Sequence, residues 1–162
     1  MRTSLQALSV ALLVVVAGCG GSDDNGITNP NPQTSAGTMS ARIDGATWTA
    51  SVVTVAVNAN GIIVSGASTS NIGMAVGASR LLGTAPQTFG ANGNFNALAT
   101  MTTGTQSWSA TGVQGTNSSG TVTLTTLTAN RAVGTFTFNA PALAGGATGT
   151  KVVTTGVFDV KF

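Results

Sequence analysis

The chain has 162 residues, of which 42% are hydrophobic and only 6% charged, and it contains no His and no Tyr. That length suits one ordinary domain after any leader is removed, and the charged fraction lies far below the roughly 25% usual in globular proteins, so solubility rests on Thr, Ser, Asn and exposed backbone. Arg42, Arg80, Arg131, Lys151 and Lys161 are scattered singly against Asp23, Asp24, Asp44 and Asp159; a nucleic-acid partner, which would call for Lys and Arg clustered on one face, is not expected.

The chain opens with a cation at Arg2, an apolar stretch from Val10 to Ala17 with Leu5 and Leu8 ahead of it, and then Val16-Ala17-Gly18-Cys19. This is the three-part layout of an export signal. The apolar run is shorter than the roughly 20 residues a spanning helix needs. Val16-Ala17-Gly18-Cys19 resembles the bacterial lipobox, in which small residues fit a peptidase cleft and the cysteine thiol receives a diacylglycerol. The resemblance implies a signal peptide over residues 1–18, cleavage between Gly18 and Cys19, and a membrane anchor made only of lipid on Cys19, such as palmitate. Cys19 is the one cysteine in the chain and so has no intramolecular disulfide partner.

Residues 19–37 are rich in Gly, Ser, Asn, Asp and Thr, with Pro30 and Pro32 each after an Asn and Ile27 the only large apolar side chain. Such a segment buries too little surface to repay ordering, so it is expected to be a disordered tether. Within it Ser22-Asp23-Asp24 resembles the short acidic signals that send some lipoproteins to the cell surface. Gly20 stands where an inner-membrane retention signal places aspartate, so the outer membrane is the expected address, on its periplasmic face or at the cell surface.

From residue 38 to 162 the pattern is period two. Val53, Val55 and Val57 alternate with Thr54 and Ala56, Phe136 and Phe138 with Thr135 and Thr137, and Phe158, Val160 and Phe162 with Asp159 and Lys161. One apolar and one wet face mark antiparallel sheet. Strands are expected at 39–43, 47–58, 61–67, 71–77, 80–85, 94–101, 106–112, 120–128, 131–140 and 151–162. Asp44-Gly45 and Asn60-Gly61 are two-residue signals for type I′ hairpins, Asn92-Gly93 and Ser119-Gly120 looser ones, and Gly145-Gly146 marks a longer loop. Val122, Leu124 and Leu127 change phase across Thr125-Thr126, which predicts a β-bulge. The expected fold is all-β: a single antiparallel meander of about ten strands, closing as a barrel or a β-sandwich.

Met39-Ser40-Ala41-Arg42-Ile43-Asp44-Gly45 followed by Trp48, then Gly134-Thr135-Phe136-Thr137-Phe138, then Gly156-Val157-Phe158-Asp159-Val160-Lys161-Phe162 together resemble a family of uncharacterised bacterial lipoproteins bearing one β-rich domain of unknown function. The resemblance spans residues 38 to 162. It implies the fold and the envelope address and carries no functional residue with it.

The residues for common chemistries are missing. Acid–base catalysis needs two titratable groups in reach of one substrate, and the domain offers only Asp44 and Asp159, with no Glu, His or Tyr. A Ser-His-Asp triad is impossible without histidine. Zinc and copper lack their ligands, and two separated aspartates supply too little charge for calcium. No catalytic residue, metal or cofactor is therefore expected. Trp48 and Trp108 are the candidate ligand contacts, since an indole stacks and donates at once; core filling is the alternative for both. Arg80, between apolar runs, reads as a solvated charge. Two functional readings follow: a non-catalytic envelope lipoprotein whose domain binds a protein or glycan, or a barrel carrying a small apolar ligand in a cavity lined by Val53, Val55, Phe136, Phe138 and Phe158. The charge-poor runs 120–128 and 151–157 are expected to favour weak self-association through sheet edges. Cys19→Ser is expected to release the domain from the membrane or leave an unprocessed precursor, read by fractionation and intact mass; a variant processed and anchored like the wild type would refute the lipid anchor.

Overall fold

The computed structural model describes residues 33–34, 37–90, 97–111 and 118–162. Its strands are β1 (Gln33–Thr34), β2 (Thr38–Ile43), β3 (Ala46–Thr49), β4 (Val52–Val57), β5 (Gly61–Ala67), β6 (Ile72–Ser79), β7 (Gln87–Gly90), β8 (Ala97–Thr103), β9 (Gln106–Ser109), β10 (Ser119–Leu127), β11 (Arg131–Ala144) and β12 (Thr150–Lys161). The domain is all-β, and every pairing is antiparallel. The ladder runs β1-β4-β5-β6-β8-β9-β11-β12-β2-β3, with β10 and β7 on a side branch from β11.

This sheet curls into a half-barrel and is neither a closed barrel nor two separate sheets. One wing is β1-β4-β5-β6-β8-β9; the other is β7-β10-β11-β12-β2-β3. They join through β11, whose first part lies between β10 and β12 and whose end pairs with β9 at Trp108↔Ala142 and Ser107↔Ala144. Pro141 falls where β10 has ended and β9 has not begun. Ala142 turns its N–H toward β12, onto the Gly149 carbonyl at 2.9 Å, so the missing N–H of Pro141 faces the gap and no rung is lost. At the opposite corner the chain itself crosses: Ala50 N–H donates to the Met39 carbonyl on one wing, and Ser51 N–H to the Ala67 carbonyl on the other.

Alternation buries one face of each wing, and the two faces share one core. The phenyl rings of Phe89, Phe136, Phe138 and Phe158 all belong to the β7-to-β3 wing. Ring centroids are 6.0 Å apart for Phe89–Phe138, 6.2 Å for Phe136–Phe138 and 6.4 Å for Phe136–Phe158, the spacing at which offset and edge-on rings attract. The other wing contributes Val55, Val76, Ala78 and Ala99 together with the larger Ile62, Met74, Met101 and Trp108.

The centre of β11 and β12 holds a reciprocal pair. Gly134 lies opposite Phe158, and Phe136 opposite Gly156. Each ring folds over the glycine across from it: a Cβ on Gly156 would clash with the Phe136 ring at Cδ2, Cε2 and Cζ, and one on Gly134 would sit 2.5 Å from Phe158 Cζ. β12 bulges beside this pair at Thr155, whose φ is +49°, and register shifts there on both flanks.

Several expectations need correction. Residues 80–85 form turns, with Gly83 N–H on the Arg80 carbonyl and Ala85 N–H on the Leu82 carbonyl. Leu81 and Leu82 are exposed at its apex, so their apolarity carried no strand. The expected strand 47–58 breaks at the corner into β3 and β4. The β7 strand was not foreseen, and it makes the order more than a meander, because it leaves the β6–β8 neighbourhood to pair with β10. Gln87 anchors that excursion: it is buried, its Oε1 accepts from Ser79 N–H at 2.7 Å and its Nε2 donates to the Ser79 carbonyl at 2.8 Å. The amide thus replaces a strand partner for Ser79. Asp44-Gly45 is the expected I′ turn, at φ +50° and +84°. Asn60-Gly61 is not, since neither residue has positive φ; instead Asn58 Oδ1 accepts from the N–H groups of Asn60 and Gly61, an Asx-type closure. Ser119-Gly120 opens β10 rather than a hairpin loop. The bulge near Thr125 is present, between Leu124 and Thr126. Asn92-Gly93 lies outside the described residues, as do 1–32; two residues of the expected tether, Gln33 and Thr34, run along β4.

Gly156→Ala is expected to destabilise the domain by about 1–3 kcal/mol, the usual cost of overpacking, read as a lower urea midpoint. Phe136→Leu added to it should recover part of the loss, because it empties the space the methyl needs. An unchanged midpoint for Gly156→Ala would show that the ring moves aside freely.

Candidate functional site

The candidate site is built on β3. Ala46 pairs with Ile43 and Trp48 with Ala41, and Ala50 N–H continues the ladder to Met39. Neighbouring residues of a strand turn their N–H and C=O groups to opposite sides. Thr47 and Thr49 therefore direct theirs away from β2, and among the described residues β3 has no second partner.

Beside this open edge lies a groove of about 420 Å³ bounded by Thr47 and Thr49 on one side and by Ser68, Thr69 and Ser70 of the β5–β6 turn on the other. Ile43, Trp48 and Ile72 contribute its apolar part. The turn is braced internally: Ser68 N–H donates to the Ile72 carbonyl at 2.9 Å, Asn71 takes φ +60°, and the Ser68 and Ser70 hydroxyls are 2.9 Å apart. Trp48 ties the two walls, since its Nε1 donates to the Ile72 carbonyl at 3.3 Å.

Asp44 and Lys151 stand at one end. The Asp44 carboxylate accepts from Lys151 Nζ at 2.7 Å and from Val152 N–H at 3.0 Å, while Asp44 N–H donates to the Val152 carbonyl at 2.8 Å. The Lys151 hydrogen bond first, and the Val152 amide second, hold the Asp44 carboxyl below its ordinary value. Lys151 Nζ also lies 5.4 Å above the centroid of Trp108, within cation–π range.

The two expected ligand contacts are thus placed as follows. Trp48 and Trp108 are each only 4% exposed, and the Trp108 Nε1 donates to the Thr148 carbonyl at 3.2 Å. Trp48 lies on the groove; Trp108 lies below Lys151, outside the lining. Neither offers an open ring face of the kind a stacked sugar needs, and both indole donors are engaged within the chain. Arg80 donates to the Asn58 carbonyl at 2.9 Å. Val53, Val55, Phe136, Phe138 and Phe158, the expected walls of a carrier cavity, are all buried in the shared core. Gly18, Cys19, Ser22, Asp23 and Asp24 lie outside the described residues. Of the charge-poor runs 120–128 and 151–157, the second is interior, since β12 lies between β11 and β2; β10 pairs with β11 along its length but with β7 only over Ser119–Val122, so among the described residues Thr123–Leu127 keeps one side without a strand.

A family model describing a domain of unknown function, DUF6252, matches residues 35–160. The chain belongs to the DUF6252 family. No curated protein and no solved structure matches it. The DUF6252 match covers the groove, the half-barrel and the Gly–Phe pairs together.

Sequence reasoning found Trp48 and the Asp44-Gly45 turn but missed the rest of the site. Ser68, Thr69 and Ser70 looked like any polar loop, and Lys151 meets Asp44 across more than a hundred residues of chain. The one available signal was β3 itself, a short strand between a tight turn and a break.

Because the folded Asp44 carboxyl is depressed, its pair contributes stability above the unfolded value of about 3.9, and that stability is lost as pH falls through the folded value. The partners are partly exposed, so solvent screening keeps the contribution within about 0.2–1 kcal/mol. Asp44→Asn preserves a residue that accepts the turn conformation. Its urea midpoint is expected below the wild type at neutral pH, with the gap narrowing as pH falls below about 3.9; a gap that stays constant across the acid range would assign the effect to the turn instead of the charge.

Proposed function

We propose that this DUF6252 protein is a non-catalytic cell-envelope lipoprotein, held to the outer membrane through lipid on Cys19, whose half-barrel is a binding module with its site in the β3 groove. The observation that carries the binding role is the juxtaposition of an unpaired strand edge with a hydroxyl-rich turn across an open groove of ligand-sized volume. The lipobox-like Val16-Ala17-Gly18-Cys19 supports the anchor, and Ser22-Asp23-Asp24 supports export toward the surface.

Non-catalytic action is supported by the state of the acids. Asp44 is ion-paired to Lys151 and Asp159 to Arg131, both carboxyls are held below their ordinary value, and the chain has no His, Glu or Tyr to serve as base or acid. A partner is therefore bound, not transformed, and the tether gives the module reach from the membrane.

A photo-crosslinking residue placed at Ser70 of the full chain, in its native host, tests this reading against the same residue at Ala129, which lies in the exposed β10–β11 turn. A discrete adduct from position 70 and none from 129 is expected. No adduct from position 70, or the same adducts from both, would remove the groove as the binding site.

A further inference from the structure

The groove's chemistry specifies its occupant further. Thr47 and Thr49 present two N–H and two C=O groups in ladder geometry, because β3 spends its alternate residues on β2. Nothing on β3 guards this edge: Ala46-Thr47-Trp48-Thr49 has no Lys, no Pro and no inward charge, the devices that natural edges use against strand addition. At the far end of the main ladder a short segment of this chain lies along an edge in that way, where β1 pairs with β4 at Gln33↔Val55 and Thr34↔Thr54.

β3 runs for about 13 Å at the usual rise per residue, the length of a four-residue partner strand, and the Ser68–Ser70 turn also lines the groove. Charge restricts the segment further. Among the described residues the only ionised side chains on the groove, Asp44 and Lys151, neutralise each other at 2.7 Å, so a charged guest finds no compensation there, and an uncharged one with small or β-branched side chains suits the apolar part made by Ile43, Trp48 and Ile72.

We propose that the β3 edge binds an uncharged extended peptide segment of a partner protein, which adds to the sheet as a further strand by pairing with Thr47 and Thr49. The proposal rests on the groove being the binding site, and it assigns the ligand class. Affinity comes from the backbone rungs, and selectivity from the apolar part of the groove and the hydroxyl wall, the division usual in strand addition.

The test uses the purified full chain, 15N-labelled, in detergent, with the probe acetyl-Thr-Val-Thr-Val-Thr-amide and two forms of it N-methylated at alternate positions. Saturable shifts and slowed hydrogen exchange at the Thr47 and Thr49 amides are expected with the parent. One N-methylated form, blocked on the side facing β3, should bind about tenfold more weakly, and the other like the parent. Thr49→Pro, which deletes one outward N–H without touching the β2 ladder, should weaken the parent to a similar degree while leaving the core resonances in place. Absence of shifts at Thr47 and Thr49, or equal binding by both N-methylated forms, overturns strand addition. If that happens while the Ser70 crosslink persists, the groove reading stands with another ligand class; if the crosslink fails as well, both fall.

Discussion

The half-barrel depends on the two glycine–phenylalanine pairs at the centre of β11 and β12. A sheet that curls over its own core must bring its concave side chains closer together than a flat one, and four large rings on one wing make that harder. Gly134 and Gly156 resolve the conflict by giving up their side chains directly opposite Phe158 and Phe136, so each ring lies down over backbone instead of standing up into the facing wing. The rings then stack nearly parallel, at 24° between planes, and form a low, broad floor. Side chains of the other wing, from Ala99 and Val55 up to Met101 and Trp108, complete the interior. The glycines would weaken a strand by themselves, and the rings that cover them restore the lost contact.

What was legible in the sequence follows from the range of the interaction. Alternation over β4, β10, β11 and β12 announced all-β structure because each strand carries its own inside–outside record. The Asp44-Gly45 turn and the bulge near Thr125 were legible for the same reason, being local conformations with local residue preferences. Failures occur where distant groups decide. Leu81 and Leu82 read as strand, yet among the described residues no neighbouring strand accepts them. β7 is short and its placement rests on Gln87 reaching Ser79, a side chain imitating backbone, which no periodicity reports. Asn60-Gly61 carried the right dipeptide, but Asn58 captured the two N–H groups first. The Gly-x-Phe spacing at Gly134–Phe136 and Gly156–Phe158 was visible as a motif; its meaning was not, because it lies in the register between two strands.

The same distinction separates the site from the fold. A groove beside an edge strand exists only because the chain leaves one wing at Ala50 and joins the other at Ser51, which ends β3 early and leaves the β5–β6 turn standing opposite. No residue type is demanded by that arrangement except the small Gly66, which lies against Ala50, Trp48 and Met39. Trp48 drew attention as an aromatic, but its indole serves as a strut between the walls. The groups free to act are backbone groups of Thr47 and Thr49, and a backbone group has no sequence signature.

Scarcity of charge gives this a wider consequence. Both carboxylates of the described domain are committed to β12: Asp159 lies on it and pairs with Arg131 across the β11 ladder, and Asp44 pins its start through Lys151 and Val152. The two other guanidinium groups of the described residues are spent on carbonyls, Arg42 on Gly45 and Arg80 on Asn58. A surface so provided has few means of steering a partner by long-range fields or of discriminating by ion pairs. It has hydroxyls, which are abundant but individually weak, and it has a strand edge, where donors and acceptors come pre-aligned and their desolvation is repaid by a second backbone. For a domain of this composition the edge is the feature on which specific recognition can be built.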